Sequence, residues 1–541
     1  MRFEDKRNTY TKEEIWEEYC GFLELSLEDF MLIQHRLLQE QLELWKNSAL
    51  GQSILKGKPL STFEDFQQNI PLTDYADYAE LLLGRDSSCL PQEAVLWIQT
   101  TWEGGSHPEK VAPYTESMLR NFKRNVIACL LLSTSAKRGD FHVQKKDTIL
   151  YGLAPLPYAT GLVSLVFEQE TAIEFLPPVK EAVKLSFSQR NKAGFKQGLG
   201  KGIDYFFGLG SVTYYISKSL DSMSKSKGSF SIRSLPLSRL AVLAKAKLRC
   251  HKEKRSLQPK DLFQLKGFMV AGTDNDLYKD DLEELWGIRP MEIFAGTEPT
   301  LIGTEIWNRN GLYFFPDACF YEFLPMSERQ RMKEQPGYQP RTCLLNEVSV
   351  NETYEIILSV FKGGAFMRYR VGDLYRCVSL DNRSEKITLP CFKYIDRVPK
   401  VIDIAGFTRI TRSSIDQVIT LSGLPIQHYC ACKELQKQRP FVHLYVEIEQ
   451  ASAGQRAITV EVLRQHLSVY FRHVDQDYKD LKKILGIEPL QITLLKIGTF
   501  ARFQQAYGHE PDVINPSKHE LYQLMALQQE SYDRNRGDRY E

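Results

Sequence analysis

At 541 residues the chain is longer than one ordinary hydrophobic core supports, so two domains are expected. Charged residues make up 25% of it and apolar residues 43%, a balance that excludes a disordered, fibrous or membrane-embedded chain. A formal net charge of +1 gives the whole chain no bias toward nucleic acid.

The opening residues, MRFEDKRNTYTKEEIWEE, are charged from the start and carry no apolar core of signal-peptide length, which predicts a cytoplasmic protein. Leu37, Leu38, Leu42 and Trp45 recur at helical spacing among Glu, Gln and Lys, so this part of the chain reads as a helix packed on the main domain. Next, in STFEDFQQNIPLTDYADYAELL, Ser61 or Thr62 can cap a short helix that Asn69 to Pro71 break. The apolar run Val126 to Leu132 falls short of the roughly 18 residues a membrane span needs, and predicts a buried helix. Ten cysteines contain no CxxC pair, Cys430 and Cys432 lying closest, so buried free thiols are expected rather than zinc or disulfides.

Between residues 180 and 260 there are 18 Lys or Arg against 4 Asp or Glu. A solvated basic helix face explains this segment, with its Phe, Tyr and Leu lining a pocket; the other reading gives it an anionic partner. Within it, YFFGLGSVTYY reads as exposed aromatics.

Residues 261 to 325 alternate short β-rich runs with helical ones: GFMVAG, DLYKDDLEELWG, MEIFAG and GLYFFPD. That succession predicts an α/β fold with a mixed or parallel sheet, whose functional groups gather at the carboxyl ends of strands. Gly272, Gly296 and Gly372 mark turns at such ends. Beyond about residue 396 the pattern becomes a small α/β unit. FVHLYVEIE and LQITLLKIG read as strands, Val460, Leu463, Leu467 and Tyr470 mark a helix between them, and SYDRNRGDRYE reads as a frayed tail. The expected domains are 1–395 and 396–541.

Chemistry concentrates at three places. In FAGTEPT, Thr297 offers a hydroxyl for phosphate and Glu298 a carboxylate for magnesium, directly after a glycine turn. In RYRVGD, Asp373 suits ribose hydroxyls, and downstream Arg397 suits ribose or phosphate. Together they describe a nucleotide pocket. Histidines 107, 251, 428 and 466 have no metal-ligand spacing.

These residues resemble motifs of the adenylate-forming superfamily, and within it the auxin-responsive-promoter (Gretchen Hagen three) family of acyl acid amido synthetases. FAGTEPT is similar to the superfamily's Thr-Glu turn, YRVGDL to its ribose-binding turn, and DRVPKVIDIAG to its hinge. VFKGGAFMRYRVGDL and PDACFYEFLP resemble segments of the narrower family, the second placing Phe320, Glu322 and Phe323 beside the acyl pocket. Counting on from LLKIGTF puts Lys518 at the family's mobile catalytic lysine.

The resemblance implies a large adenylating domain, a small mobile α/β domain, and a two-step reaction using ATP and Mg2+. A carboxylic acid attacks the α-phosphate to give an acyl-adenylate, and an amine, an amino acid in that family, takes the acyl group. Thr297 would then contact the α-phosphate, Glu298 bind magnesium, Asp373 hold the ribose with help from Arg397, and Lys518 bridge the charge that develops between carboxylate and phosphate. An acyl-coenzyme A ligase, with the basic segment meeting the coenzyme's phosphates, and a catalytically weakened scaffold of the same fold are the alternatives.

Two departures from the pattern bear on those alternatives. The phosphate loop corresponds to QTTWEGGSHPEK: Thr100, Thr101, Gly104, Gly105, Ser106 and Lys110 keep part of the chemistry, while Trp102 replaces a small residue and Glu103 places a carboxylate facing polyphosphate. At the hinge, the resemblance puts Pro399 at the pivot position, where a fixed φ restricts rotation; the alternative is a pivot shifted to Val398 or Lys400.

Overall fold

The computed structural model describes residues 1–100, 109–152, 155–185, 187–225, 235–273, 275–398, 401–404, 408–436, 439–448, 459–474, 478, 481 and 488–537. They fall into a larger unit, residues 1–100 and 110–396, and a smaller one made of Glu109 and the residues from 397 on. Thr101, Trp102, Glu103, Gly104, Gly105, Ser106, His107 and Pro399 lie outside the described residues.

An 11-stranded sheet forms the core of the larger unit. Its spatial order is Cys319–Pro325, Thr353–Val360, Tyr369–Ser379, Cys391–Arg397, Leu312–Phe314, Thr300–Glu305, Met291–Gly296, Gly267–Ala271, Tyr205–Leu209, Thr148–Gly152 and Glu174–Leu176. The last five run parallel to one another. Met291–Gly296 pairs antiparallel with Thr300–Glu305, so strand direction first reverses at the turn carrying Thr297 and Glu298. GFMVAG, MEIFAG and GLYFFPD thus supply strands as read, and DLYKDDLEELWG supplies the helix Lys279–Trp286.

The amino-terminal helices hold one edge of this sheet. Leu27–Lys46 starts where Ser26 Oγ accepts from Asp29 N at 3.0 Å, and it buries Phe30, Leu37, Leu38, Leu42 and Trp45 on one face. Three polar side chains on that face satisfy edge-strand and loop backbone that burial would otherwise leave unpaired. Gln34 Nε2 donates to the Cys319 carbonyl at 2.8 Å while its oxygen accepts from Tyr321 N at 3.0 Å. Gln41 bonds Gly364 O and Gly363 N at 2.9 and 2.8 Å, and Trp45 Nε1 donates to Ala365 O at 2.8 Å. The chain entering Tyr369–Ser379 is therefore fixed from residue 363 on. Phe63–Asn69 is capped by Thr62 with Asp65 completing a capping box, and all seven residues from Val126 to Leu132 are buried in the helix Glu116–Thr134.

Three expectations need correction. Gly372 does not end a strand: Tyr369–Ser379 continues through it. Arg370 stands opposite Ile357 and Leu374 opposite Glu355, so Val371, Gly372 and Asp373 face the single residue Ile356. The feature is a bulge, and φ of +89° at Gly372 is the left-handed value that spares a glycine the Cβ clash. The aromatics of YFFGLGSVTYY are not exposed. Tyr205, Phe206 and Phe207 lie in an interior strand of the sheet, and Tyr214 and Tyr215 are buried on the helix that follows. Ser531 to Gly537, read as tail, belong to the helix Lys518–Gly537.

In the smaller unit Ile426–Gln436 pairs antiparallel with Arg439–Ile448, which pairs parallel with Leu490–Leu495. Val460–Val474 turns Leu463, Leu467 and Phe471 inward, while Val460 is exposed. Nine of the ten cysteines are buried, Cys343 is half-buried, and none is in a disulfide. Among the described residues no helix is long and apolar enough to cross a membrane.

Candidate functional site

Met291–Gly296 delivers Thr297 and Glu298 at the carboxyl end of the strand where direction reverses, a place where crevices form in α/β sheets. A Cβ at Gly296 would stand 2.7 Å from the Pro299 ring, so only glycine lets the turn close so tightly. Thr300 then takes φ of +68°, a costly value for a β-branched residue, two positions after the acidic side chain.

Glu298 is 5% exposed, and a carboxylate so far from water needs partners. Tyr369 donates its phenol hydrogen to Glu298 Oε1 at 2.8 Å. Lys110 Nζ stands 3.9 Å from the same oxygen and 5.8 Å from the centre of the Tyr75 ring. Among the described residues no side chain donates to Oε2.

Lys110 reaches this position because Leu96–Gln99 and Val111–Tyr114 pair antiparallel, Gln99 opposite Val111. Thr100 extends the pairing: its N–H donates to Lys110 O at 2.9 Å and its Oγ1 accepts from Lys110 N at 3.0 Å. Tyr75 OH accepts from Val111 N at 2.6 Å and donates to Val111 O at 3.1 Å. At the other end Tyr114 OH donates to Thr297 O at 2.8 Å, tying the hairpin to the acidic turn. Burial pushes the Tyr75 phenol up to about 12; the bond to Val111 opposes this and the charge of Glu298 adds to it. Burial first, then Glu298, also raises Tyr114. Both stay protonated donors near neutral pH.

The structure thus brings Thr100, Lys110, Thr297 and Glu298 together. Asp373, 3% exposed, lies in the bulge of the strand that begins with Tyr369, and its charge contributes to raising the Tyr375 phenol after burial itself. Phe320 and Phe323 are core residues. Phe320 packs on Phe63, Phe66 and His35, and Phe323 stacks on Phe392 at 5.1 Å. Glu322 is fully buried in a fork with Arg368, Nε to Oε2 at 3.1 Å and Nη2 to Oε1 at 2.9 Å, and Thr342 donates to Oε1 at 2.6 Å. Its charge is therefore committed inside the protein.

Arg397, the last residue of the strand Cys391–Arg397, falls at the unit boundary, and Lys518 belongs to the smaller unit. There Asn515 fixes the chain ahead of Lys518: its N–H donates to Ala431 O at 2.7 Å and its Nδ2 to Val401 O at 2.9 Å. Ser517 and Glu520 cap the helix that Lys518 opens, and Lys518 is exposed. The Gly-Thr-Phe element is clamped by buried Glu447, which accepts from Gly498 N and Phe500 N at 2.5 and 3.2 Å.

Sequence reasoning missed Tyr369, Tyr114 and Tyr75. Tyr369 stood inside the stretch read as ribose-binding, and a phenol among arginines on a buried strand was the available signal; Tyr75 and Tyr114 gave none.

The family model described as the GH3 family N-terminal domain matches residues 20–160, the GH3 family central domain 312–397 and the GH3 family C-terminal domain 411–522. Comparison with curated proteins gives no significant match. Among solved structures, an acyl acid amido synthetase, AtGH3.15, in complex with 2,4-DB is similar at 14% identity and a TM-score of 0.53, over 96% of this chain and 97% of that one. A 2-hydroxyisobutyryl-CoA ligase in complex with 2-HIB-AMP and CoA is similar at 15% identity and a TM-score of 0.59, over 87% of each chain. At such identity the likeness concerns the fold.

Proposed function

The chain belongs to the GH3 family, and from that premise we propose an ATP-dependent ligase that activates a carboxylic acid as its acyl-adenylate and passes the acyl group to an amine, an amino acid by family likeness. The observation that carries this reading is the buried Glu298 carboxylate at the reversal of the sheet, with Lys110 and Tyr369 on one oxygen.

In the first step a substrate carboxylate oxygen bonds to the α-phosphorus of ATP and the bond to the β-phosphate oxygen breaks, releasing pyrophosphate. Lys110 sits where a cation lowers the cost of bringing polyphosphate to the acidic turn, and the hairpin holds it there by backbone pairing. Thr297 directs its hydroxyl to the α-phosphate while Tyr114 holds its carbonyl. Asp373 receives the ribose hydroxyls with Arg397 assisting, and Lys518 of the smaller domain neutralises the charge between carboxylate and phosphate. In the second step the amine nitrogen bonds to the acyl carbon, AMP leaves, and the nitrogen loses a proton.

Glu298 fits a magnesium ion. No cluster of three or more His, Cys, Asp or Glu able to hold a metal occurs among the described residues, so the ion would take Glu298 oxygen together with nucleotide phosphates, as Mg2+ commonly does. Bound there it supplies neutralisation of phosphate charge. Tyr369, donating to Oε1, orients the carboxylate for that contact.

Mass spectrometry of acyl-AMP formed from ATP and a panel of carboxylic acids tests the first step. Supplying amino acids or coenzyme A to preformed acyl-adenylate tests the second: amide formation is expected, thioester formation makes the protein an acyl-CoA ligase, and absence of acyl-AMP across the panel overturns the reading.

A further inference from the structure

The helix Leu237–Lys252, LSRLAVLAKAKLRCHK, contains five Lys or Arg and no Asp or Glu. At about 100° per residue, Leu237, Ala241, Ala244 and Leu248 fall within roughly 60° of one another along its length. All four are exposed, Leu237 by 86% and Leu248 by 72%. The same projection puts Lys245 and Lys252 along one side of this stripe and Lys247 and His251 along the other, all exposed.

The opposite side fastens the helix to the larger unit. Ala246 and Cys250 are buried, and Arg239 donates to Leu199 O at 2.9 Å and Leu262 O at 3.0 Å. Cys250 Sγ donates to Asp261, which Arg255 grips with two contacts of 2.7 Å. The acid nearest in sequence, Glu253, is also held by Arg255, at 2.7 Å. Among the described residues Lys245, Lys247 and Lys252 form no ion pair. The stripe and its cations are thus presented outward by a helix that need not unfold to use them.

We propose that this face docks the protein on an anionic phospholipid bilayer. Leucines along the centre of the face can enter the boundary between headgroups and acyl chains while lysines on both flanks reach lipid phosphates, the arrangement of an interfacial helix. Charge complementarity selects an acidic surface, and the exposed leucines favour a bilayer over nucleic acid, which offers phosphates but no apolar layer. The inference does not depend on the adenylation reading.

Co-sedimentation of the full chain with vesicles of phosphatidylcholine, with and without phosphatidylserine, tests it. Retention on the phosphatidylserine vesicles is expected, with little on phosphatidylcholine alone. Replacing the three lysines together, K245Q/K247Q/K252Q, is expected to lower partition roughly a hundredfold, about fivefold for each charge. Leu237→Gln with Leu248→Gln is expected to lower it at least about tenfold. Leu248→Ala, at an exposed position and gentle on the fold, moves partition in the same direction if the pair variant aggregates. Equal retention on both vesicle types, no retention on either, or loss on lysine replacement with none on leucine replacement overturns the proposal; the last outcome indicates an acidic protein or nucleic acid.

Discussion

Arg368→Met removes the cation that pairs with fully buried Glu322. Besides its fork to Glu322, Arg368 Nη1 donates to the carbonyls of Gln67 and Ile70 at 2.6 and 2.9 Å, and the guanidinium lies 5.5 Å from the Phe66 ring centre. In the variant the carboxylate keeps Thr342 as its donor, while the two carbonyls lose theirs. A buried charge left without its counter-ion costs about 3–5 kcal/mol, several times the net worth of an ordinary hydrogen bond. Glu322→Met in the same chain removes that charge, so the double variant should recover the part of the loss owed to the stranded carboxylate, while the Gln67 and Ile70 carbonyls stay without their donor. Urea unfolding of the single and double variants, followed by tryptophan fluorescence, gives the cycle. A loss under about 1 kcal/mol for Arg368→Met, or a double variant as unstable as the sum of the singles, would refute the reasoning. The outcome matters for the site, since Arg368 precedes Tyr369 and its N–H is bonded to Ser359 Oγ at 2.9 Å.

Lys279→Met strands Glu292 and Glu305, 2.8 and 2.9 Å from Nζ and both buried; a loss of about 3–5 kcal/mol in the same assay is expected, and one under about 1 kcal/mol would show the cluster to be solvated. Asp373→Ala should weaken nucleotide binding measured by calorimetry, while Lys518→Ala leaves binding nearly intact and slows adenylation; equal effects on ATP affinity would count against these roles. Acid should loosen the support of the basic helix. Burial pushes the Asp261 carboxyl up, but the bonds from Arg255, Gln258 N–H and Cys250 outweigh it and hold it below its ordinary 3.8, at about 2. A carboxyl lowered by folding stabilises above its unfolded value and loses that contribution as pH falls from about 4 through 2. Asp261→Asn should flatten the stability profile in that window, and an unchanged slope would show that other carboxylates carry it.

Elements with strong periodicity were legible in the sequence. Leu37, Leu38, Leu42 and Trp45 marked a real helix face, and MEIFAG a real strand ending beside Glu298, because local spacing and burial agree there. The bulge at Gly372 was not legible, since a glycine with positive φ serves a turn and a bulge equally and only the partner strand decides between them. YFFGLGSVTYY misled because its basic surroundings lie on the flanking helices while its first aromatics fill an interior strand covered on both faces. Glu322 stood in a motif read as acyl-binding; that Arg368, 46 positions away, claims its charge is a tertiary fact.

The central claim is that Glu298, held by Tyr369 and Lys110, is the acidic centre of an adenylating site. Carboxylate-dependent exchange of labelled pyrophosphate into ATP, compared between the unaltered protein and Glu298→Gln, tests it most directly. Exchange with at least one acid of a broad panel, falling by about a hundredfold or more in the variant as expected for loss of a charge contact worth about 3 kcal/mol in the transition state, is predicted. Exchange that proceeds equally in both proteins, or that no acid supports in the unaltered one, would contradict it.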